Sequence, residues 1–221
     1  MKQSMTLSQT DPAIQHLQSC DKRLAKIIQE IGAISYTPHD DGYAFLIHEI
    51  IEQMLSIKAG AVIYRRFTEL CGGHIAPETV EKLSVEEIKS TGVSSAKADY
   101  IKIVTAAIIE NDLDLSSLEG QTDGFIIRKL TSYRGIGNWT AKMYLIFVLD
   151  RPNVLPYEDG AFLQAFRWLY KTSDCTPANV TRKCKKWSPY ASIAARYLYI
   201  ALDSGLTRSP FHLFKPLERR N

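Results

Sequence analysis

The chain has 221 residues, of which 45% are apolar and 23% charged, a balance that excludes disordered and fibrous classes. Its longest apolar run, Met143 to Leu149, is far short of the roughly 18 residues a membrane span needs, and residues 1–15 lack the apolar stretch of a secretory signal. A cytoplasmic address is expected, on the nucleoid in a bacterium. The formal charge of +3 conceals an asymmetry: residues 1–125 carry 11 Lys/Arg against 18 Asp/Glu, whereas residues 126–221 carry 16 against 6. A basic C-terminal portion suits a polyanionic partner, although an unevenly charged solvated surface gives the same count.

The four cysteines are scattered without a CxxC pair, and the five histidines show no ligand spacing, so no metal site is predicted. Apolar residues recur at helical spacing almost everywhere, and period-2 alternation is hard to find, which predicts an all-α fold. Asp11 before Pro12 reads as a helix cap with proline at the first helical position, opening one helix toward Ile31 that ends near Gly32. From Tyr43, the residues Leu46, Ile47, Ile50, Ile51, Met54 and Leu55 line one apolar face, and a second amphipathic stretch runs from Ala59 to Leu70 before Gly72 and Gly73.

A short helix is predicted over Pro77–Leu83. Ser84 with Glu87 forms a capping box for the next, and Ser94 or Ser95 caps AKADYIKIVTAAIIEN. Thr122 or Asp123 caps GFIIRKLTSY, which stops at Arg134-Gly135, and WTAKMYLIFVLD resumes the helical period to Asp150. Pro152 and Pro156 make RPNVLPYED a connector, after which helices are expected at Gly160–Tyr170, Pro177–Lys186 and Pro189–Ser204.

The turn RGIGN sets Gly135 and Gly137 between two helices. Glycine there permits positive φ and lets a partner approach the backbone closely. The N–H groups of Gly137 and Asn138 open the second helix, where unpaired donors and the dipole favour an anion such as a phosphate. Ile136 is expected to point back into the helix pair and fix the turn. An ordinary reversal between two helices explains the glycines equally well. Likewise Asp159, at the start of the helix Gly160–Tyr170, is by itself an ordinary N-cap beside the surface charge of Glu158.

The string LxxYRGIGNWTAKM resembles the helix-hairpin-helix of the base-excision DNA glycosylases, and VLPYEDGAF follows it like that family's proline loop with an essential aspartate. FLIHEIIEQMLSIKAGAVIYRRF looks like the family's helix pair, and KKWSPYASIAARYLYIAL is similar to its C-terminal segment. Order and spacing match the 3-methyladenine glycosylase II type over residues 43–204. Three positions depart from the pattern: Met54 in the helix pair, Ala191 in place of an arginine, and Tyr199 in place of a tryptophan.

The resemblance implies two helical lobes with a DNA-binding cleft between them: a terminal lobe from residues 1–42 and 151–221, carrying the catalytic loop, and a central lobe, 43–150, ending in the hairpin. It implies that Asp159 is the catalytic carboxylate, with Glu158 the substitute. Trp139, Tyr199 and Tyr157 would form the pocket for an extruded base. Arg134, Gly135, Gly137, Asn138, Thr140 and Lys142 would bind DNA, Met54 would wedge into the vacated gap, and Gln53 would be a cap or a buried hydrogen-bonding residue near the DNA.

A cleaved glycosidic bond leaves positive charge on the sugar, which a fixed anion stabilises. Relatives that also nick the strand carry a lysine nucleophile immediately after the hairpin, a position held here by Trp139, while Lys142 lies almost a helical turn further on. Water is therefore the expected nucleophile, and the expected activity is monofunctional removal of alkylated purines from double-stranded DNA by a monomer. No organic cofactor is implied, although the resemblance suggests a monovalent cation between hairpin carbonyls and phosphate. A lyase-competent glycosylase for oxidised bases and a non-catalytic helix-hairpin-helix DNA-binding protein are the alternatives.

Overall fold

The computed structural model describes residues 2–214 and 216. In chain order the elements are β1 (Met5–Leu7), α1 (Pro12–Cys20), α2 (Lys22–Ile31), β2 (Ile34–Tyr36), α3 (Gly42–Glu52), α4 (Ile57–Leu70), α5 (Pro77–Lys82), α6 (Val85–Ser90) and α7 (Ser95–Ile109). They continue with α8 (Asp123–Thr131), α9 (Asn138–Phe147), α10 (Gly160–Tyr170), α11 (Pro177–Cys184) and α12 (Ala191–Asp203), with short 3-10 turns between some of them. Two compact units result. One combines the residues up to Pro38 with those from Asp150 onward, and the other is His39–Leu149. Among the described residues no helix is long and apolar enough to cross a membrane.

One expectation is corrected in the first unit. The single helix expected over Asp11–Ile31 is two helices, broken at Asp21, which adopts extended backbone with φ −141° and ψ 101° and caps α2 through the N–H groups of Arg23 and Leu24. The cause is tertiary. The buried Asp21 carboxylate also accepts from the Tyr170 hydroxyl and from Trp187 Nε1 at 3.0 Å, and pairs with Lys186 Nζ at 3.0 Å, so the chain turns there to aim it inward. Burial opposes its ionisation, but the hydrogen bonds from Tyr170, Trp187 and Lys186 prevail and hold the carboxyl below its ordinary range.

A small ladder stands within the otherwise helical fold: β1 and β2 pair antiparallel, Met5 opposite Tyr36 and Leu7 opposite Ile34, and thereby clasp the two ends of the α1–α2 pair. The core beneath is built from Ile14, Leu17, Leu24, Phe166, Trp187 and Leu198, with α12 packed against both α2 and α10.

In the second unit α7 is the central strut, touching α3, α5 and α6, while α9 packs on α3 and α8. Its caps follow the sequence signals. Ser84 and Glu87 close a reciprocal capping box, Ser94 accepts from Lys97 N–H, and Thr122 accepts from Phe125 N–H. Such caps satisfy helix N–H groups that have no partner within the helix, which is why single Ser, Thr and Asp residues mark these boundaries so sharply.

Candidate active site

In the second unit the hairpin joins α8 to α9 through Ser132–Gly137. Gly135 has φ +101°, and a Cβ placed on it would lie 2.4 Å from Tyr100 Cβ, so both backbone sterics and a packed ring require glycine there. Ile136 is buried, and its N–H bonds the Tyr133 carbonyl at 3.1 Å, which closes the turn. Gly137 caps α9 with no side-chain hydrogen bond, leaving the helix start to be approached by backbone N–H groups alone. Gly137 and Asn138 are exposed there, and the exposed Arg134 lays its guanidinium 5.6 Å from the Tyr100 ring centroid.

Next to this turn stands the loop between α3 and α4. Gln53 Nε2 donates to the Gly135 carbonyl at 2.9 Å and approaches Thr140 Oγ1 at 3.4 Å. Met54 follows with φ +58°, a left-handed conformation that costs a non-glycine residue about 1–3 kcal/mol, and its side chain is fully exposed. Leu55 and Ile57 are exposed beside it in sequence. An apolar tip on a strained turn is thus held to the hairpin by one glutamine.

Two residues expected to bind DNA are placed otherwise. Thr140 is 1% exposed and faces Gln53, and Lys142 is only 8% exposed, because α9 is covered on every side from Thr140 to Ile146. They belong to the interior of the hairpin. Trp139, the second residue of α9, is half-buried.

In the first unit Asp159 caps α10, its Oδ1 accepting from Phe162 N–H at 2.7 Å, and the residue is 9% exposed. The loop before it is pinned by α12. Ser192 N–H bonds the Pro152 carbonyl at 3.0 Å, and Ser192 Oγ accepts from Val154 N–H at 2.9 Å. A turn from Asp159 N–H to the Pro156 carbonyl at 3.0 Å then presents the carboxylate. Tyr157 and Tyr199 are half-buried and pack against the core of this unit, and Glu158 is half-buried.

Sequence reading missed two of these fixtures. Ser192 stands inside the C-terminal motif, so the motif itself was the available signal. Tyr100 of α7 had no signal beyond helical spacing. Among the described residues no group of three or more His, Cys, Asp or Glu could hold a metal ion.

Residues 47–189, a turn-linked helical array containing the Gly135–Gly137 hairpin and Asp159, match the family model described as HhH-GPD superfamily base excision DNA repair protein. The chain belongs to this family. Among HhH-GPD proteins and similar structures, it is 28% identical over 207 residues to DNA-3-methyladenine glycosylase 1 of Schizosaccharomyces pombe, covering 90% of each chain. It is similar to the crystal structure of a DNA-3-methyladenine glycosidase from Bacillus halodurans, with 33% identity, a TM-score of 0.78, and 89% of this chain and 92% of that one covered. It is also similar to S. pombe Mag1 in complex with abasic DNA, at 28% identity and a TM-score of 0.79 over 86% of this chain and 96% of that one.

Proposed function

We propose that this HhH-GPD protein is a monofunctional DNA glycosylase that hydrolyses the N-glycosidic bond of alkylated purines in base-excision repair. The relatives named for 3-methyladenine removal support the substrate class. The observation that carries the chemistry is Asp159, a carboxylate fixed by the α10 cap on a loop pinned at Ser192. Capping and catalysis are compatible, because the cap bond orients the group and costs no reorganisation at the moment of reaction.

Alkylation at a ring nitrogen makes the purine cationic, so it departs as a neutral base when the C1′–N bond breaks and both bonding electrons leave with it. Positive charge then rests on the deoxyribose, Asp159 stabilises it, and a water adds at C1′ and gives up a proton to leave an abasic site. No strong acid is needed for such a leaving group. The residue after the hairpin is Trp139, whose ring cannot form the Schiff base that strand nicking by a lysine requires.

Extrusion of the nucleotide costs a few kcal/mol, which stacking and gap filling offset. Met54 serves as the wedge, and the electron-rich rings of Trp139, Tyr157 and Tyr199 favour a cationic base over a neutral one. The backbone N–H groups of Gly137 and Asn138, with Arg134, take phosphate oxygens and read no sequence. A monovalent cation, if bound, would be held by backbone carbonyls of the hairpin and would supply positive charge for a phosphate. The protein acts as a monomer in the cytoplasm, on the nucleoid in a bacterium. Incubation with methylated duplex DNA, followed by identification of the released bases and of abasic sites without strand breaks, tests the reading. Borohydride trapping of a covalent adduct would refute it in favour of a lyase.

A further inference from the structure

The turn that carries Met54 is held from two sides. Gln53 ties it to the hairpin, and Lys97 of α7 ties it to the body of the unit: Lys97 Nζ donates to the Ile51 carbonyl at 2.8 Å and to the Gln53 carbonyl at 2.6 Å. The Glu52 carbonyl between them accepts from Leu55 N–H at 3.1 Å, so three successive carbonyls at the end of α3 all find donors. A helix C-terminus leaves such carbonyls without partners inside the helix, and an ammonium placed there also meets the negative end of the dipole.

Lys97 shares a face of α7 with Tyr100, the ring against which Gly135 closes. One helix therefore sets both the apolar tip and the phosphate-facing turn. Met54 could not keep φ +58° on an isolated loop, since a strained residue persists only where its surroundings over-determine it.

We propose that Lys97 is the positioning residue of the wedge: its ammonium, bridging the Ile51 and Gln53 carbonyls, locks the turn at which Met54 projects and Gln53 reaches Gly135. This rests on the reading of Met54 as the residue that fills the gap left by an extruded base. Burial pushes the Lys97 ammonium below the ordinary lysine range.

A duplex with an abasic site facing 2-aminopurine reads gap filling without any chemistry, because insertion unstacks the probe and raises its fluorescence. Base release from methylated duplex is followed separately under single-turnover conditions. Lys97→Met is expected to abolish most of the fluorescence gain and to slow release about tenfold to a hundredfold. Affinity for undamaged duplex should stay within about twofold, as only the hairpin phosphate contacts govern it.

Met54→Ala should show the same pattern, the double variant should be no worse than Met54→Ala alone, and Lys97→Arg should recover part of the signal. A fluorescence gain undiminished in Lys97→Met, or losses that multiply in the double variant, would overturn the proposal while leaving the wedge in place. An undiminished gain in Met54→Ala would remove the wedge and the proposal together. If Lys97→Met fails to fold, Lys97→Gln, which keeps an amide donor but loses the charge, is measured in its place against the same criteria. Absence of base release by the wild type would count against the glycosylase reading alone, since the fluorescence readout stands without it.

Discussion

Gln53 Nε2 donates to the carbonyl of Gly135 at 2.9 Å, across 82 positions of sequence, and so joins the loop that bears Met54 to the Gly135–Gly137 turn. Under the proposed function these two elements act on neighbouring nucleotides and are thereby mechanically linked. Gln53→Ala removes that link and leaves the Gly135 carbonyl without this donor, at a cost of about 1–3 kcal/mol. Denaturant unfolding should register this loss. Release of methylated bases from duplex should slow by a larger factor than the affinity for undamaged duplex weakens.

Gly135→Ala should be more damaging than a usual surface glycine replacement. The new Cβ would meet Tyr100 at 2.4 Å, and φ +101° is strained for any L side chain. A loss of about 2–4 kcal/mol combines overpacking with backbone strain. Tyr100→Ala keeps the Cβ that the new methyl meets and should recover little, whereas Tyr100→Gly in the same chain should recover the overpacking part alone. Calorimetry of the single and double variants separates the two contributions.

Arg134 is exposed and stacked over Tyr100, a placement suited to a phosphate contact. Arg134→Ala should weaken binding to duplexes of any sequence equally, and the slope of log affinity against log salt should fall in magnitude by about 0.9. An unchanged slope would remove Arg134 from the phosphate contacts.

Asp21 makes a pH-dependent contribution to stability. Its carboxyl is held below the ordinary range when folded, so its stabilisation is present above the unfolded value near pH 4 and is lost as pH falls through the folded one. Asp21→Asn keeps a capping side chain but gives up the charge that faces Lys186, and should cost about 2–3 kcal/mol near pH 7. The difference from wild type should shrink on going below about pH 4 in unfolding curves measured across that range.

Helix boundaries were legible wherever a local signal existed: Asp11-Pro12, the Ser84–Glu87 box, Ser94 and Thr122 all act through groups two or three residues away. The failures are long-range. Asp21 breaks a helix because Tyr170 and Trp187 wait for it 149 and 166 positions later, and the β1–β2 ladder joins three-residue segments too short to show alternation. At the site, the helix cap at Asp159 and the Gly135–Gly137 turn were readable from local pattern, whereas helical spacing put Met54 and Leu55 on the apolar face of α3, which instead ends at Glu52 and leaves both exposed. The burial of Thr140 and Lys142 follows from α9 being covered all round, which depends on its neighbours and not on its own period. The Lys97 bridge depends on the end of α3 meeting α7, a contact between elements 44 positions apart that no local pattern encodes.

The central claim is that the negative charge of Asp159 stabilises the sugar as the base departs. Asp159→Asn tests it most cleanly, because asparagine caps a helix about as well as aspartate and so leaves α10 and its loop in place. Single-turnover release of methylated bases from duplex DNA should fall on the order of 100-fold or more, with the melting temperature and duplex affinity nearly unchanged. Release by Asp159→Asn at the wild-type rate would contradict the assignment and move the chemistry to another group.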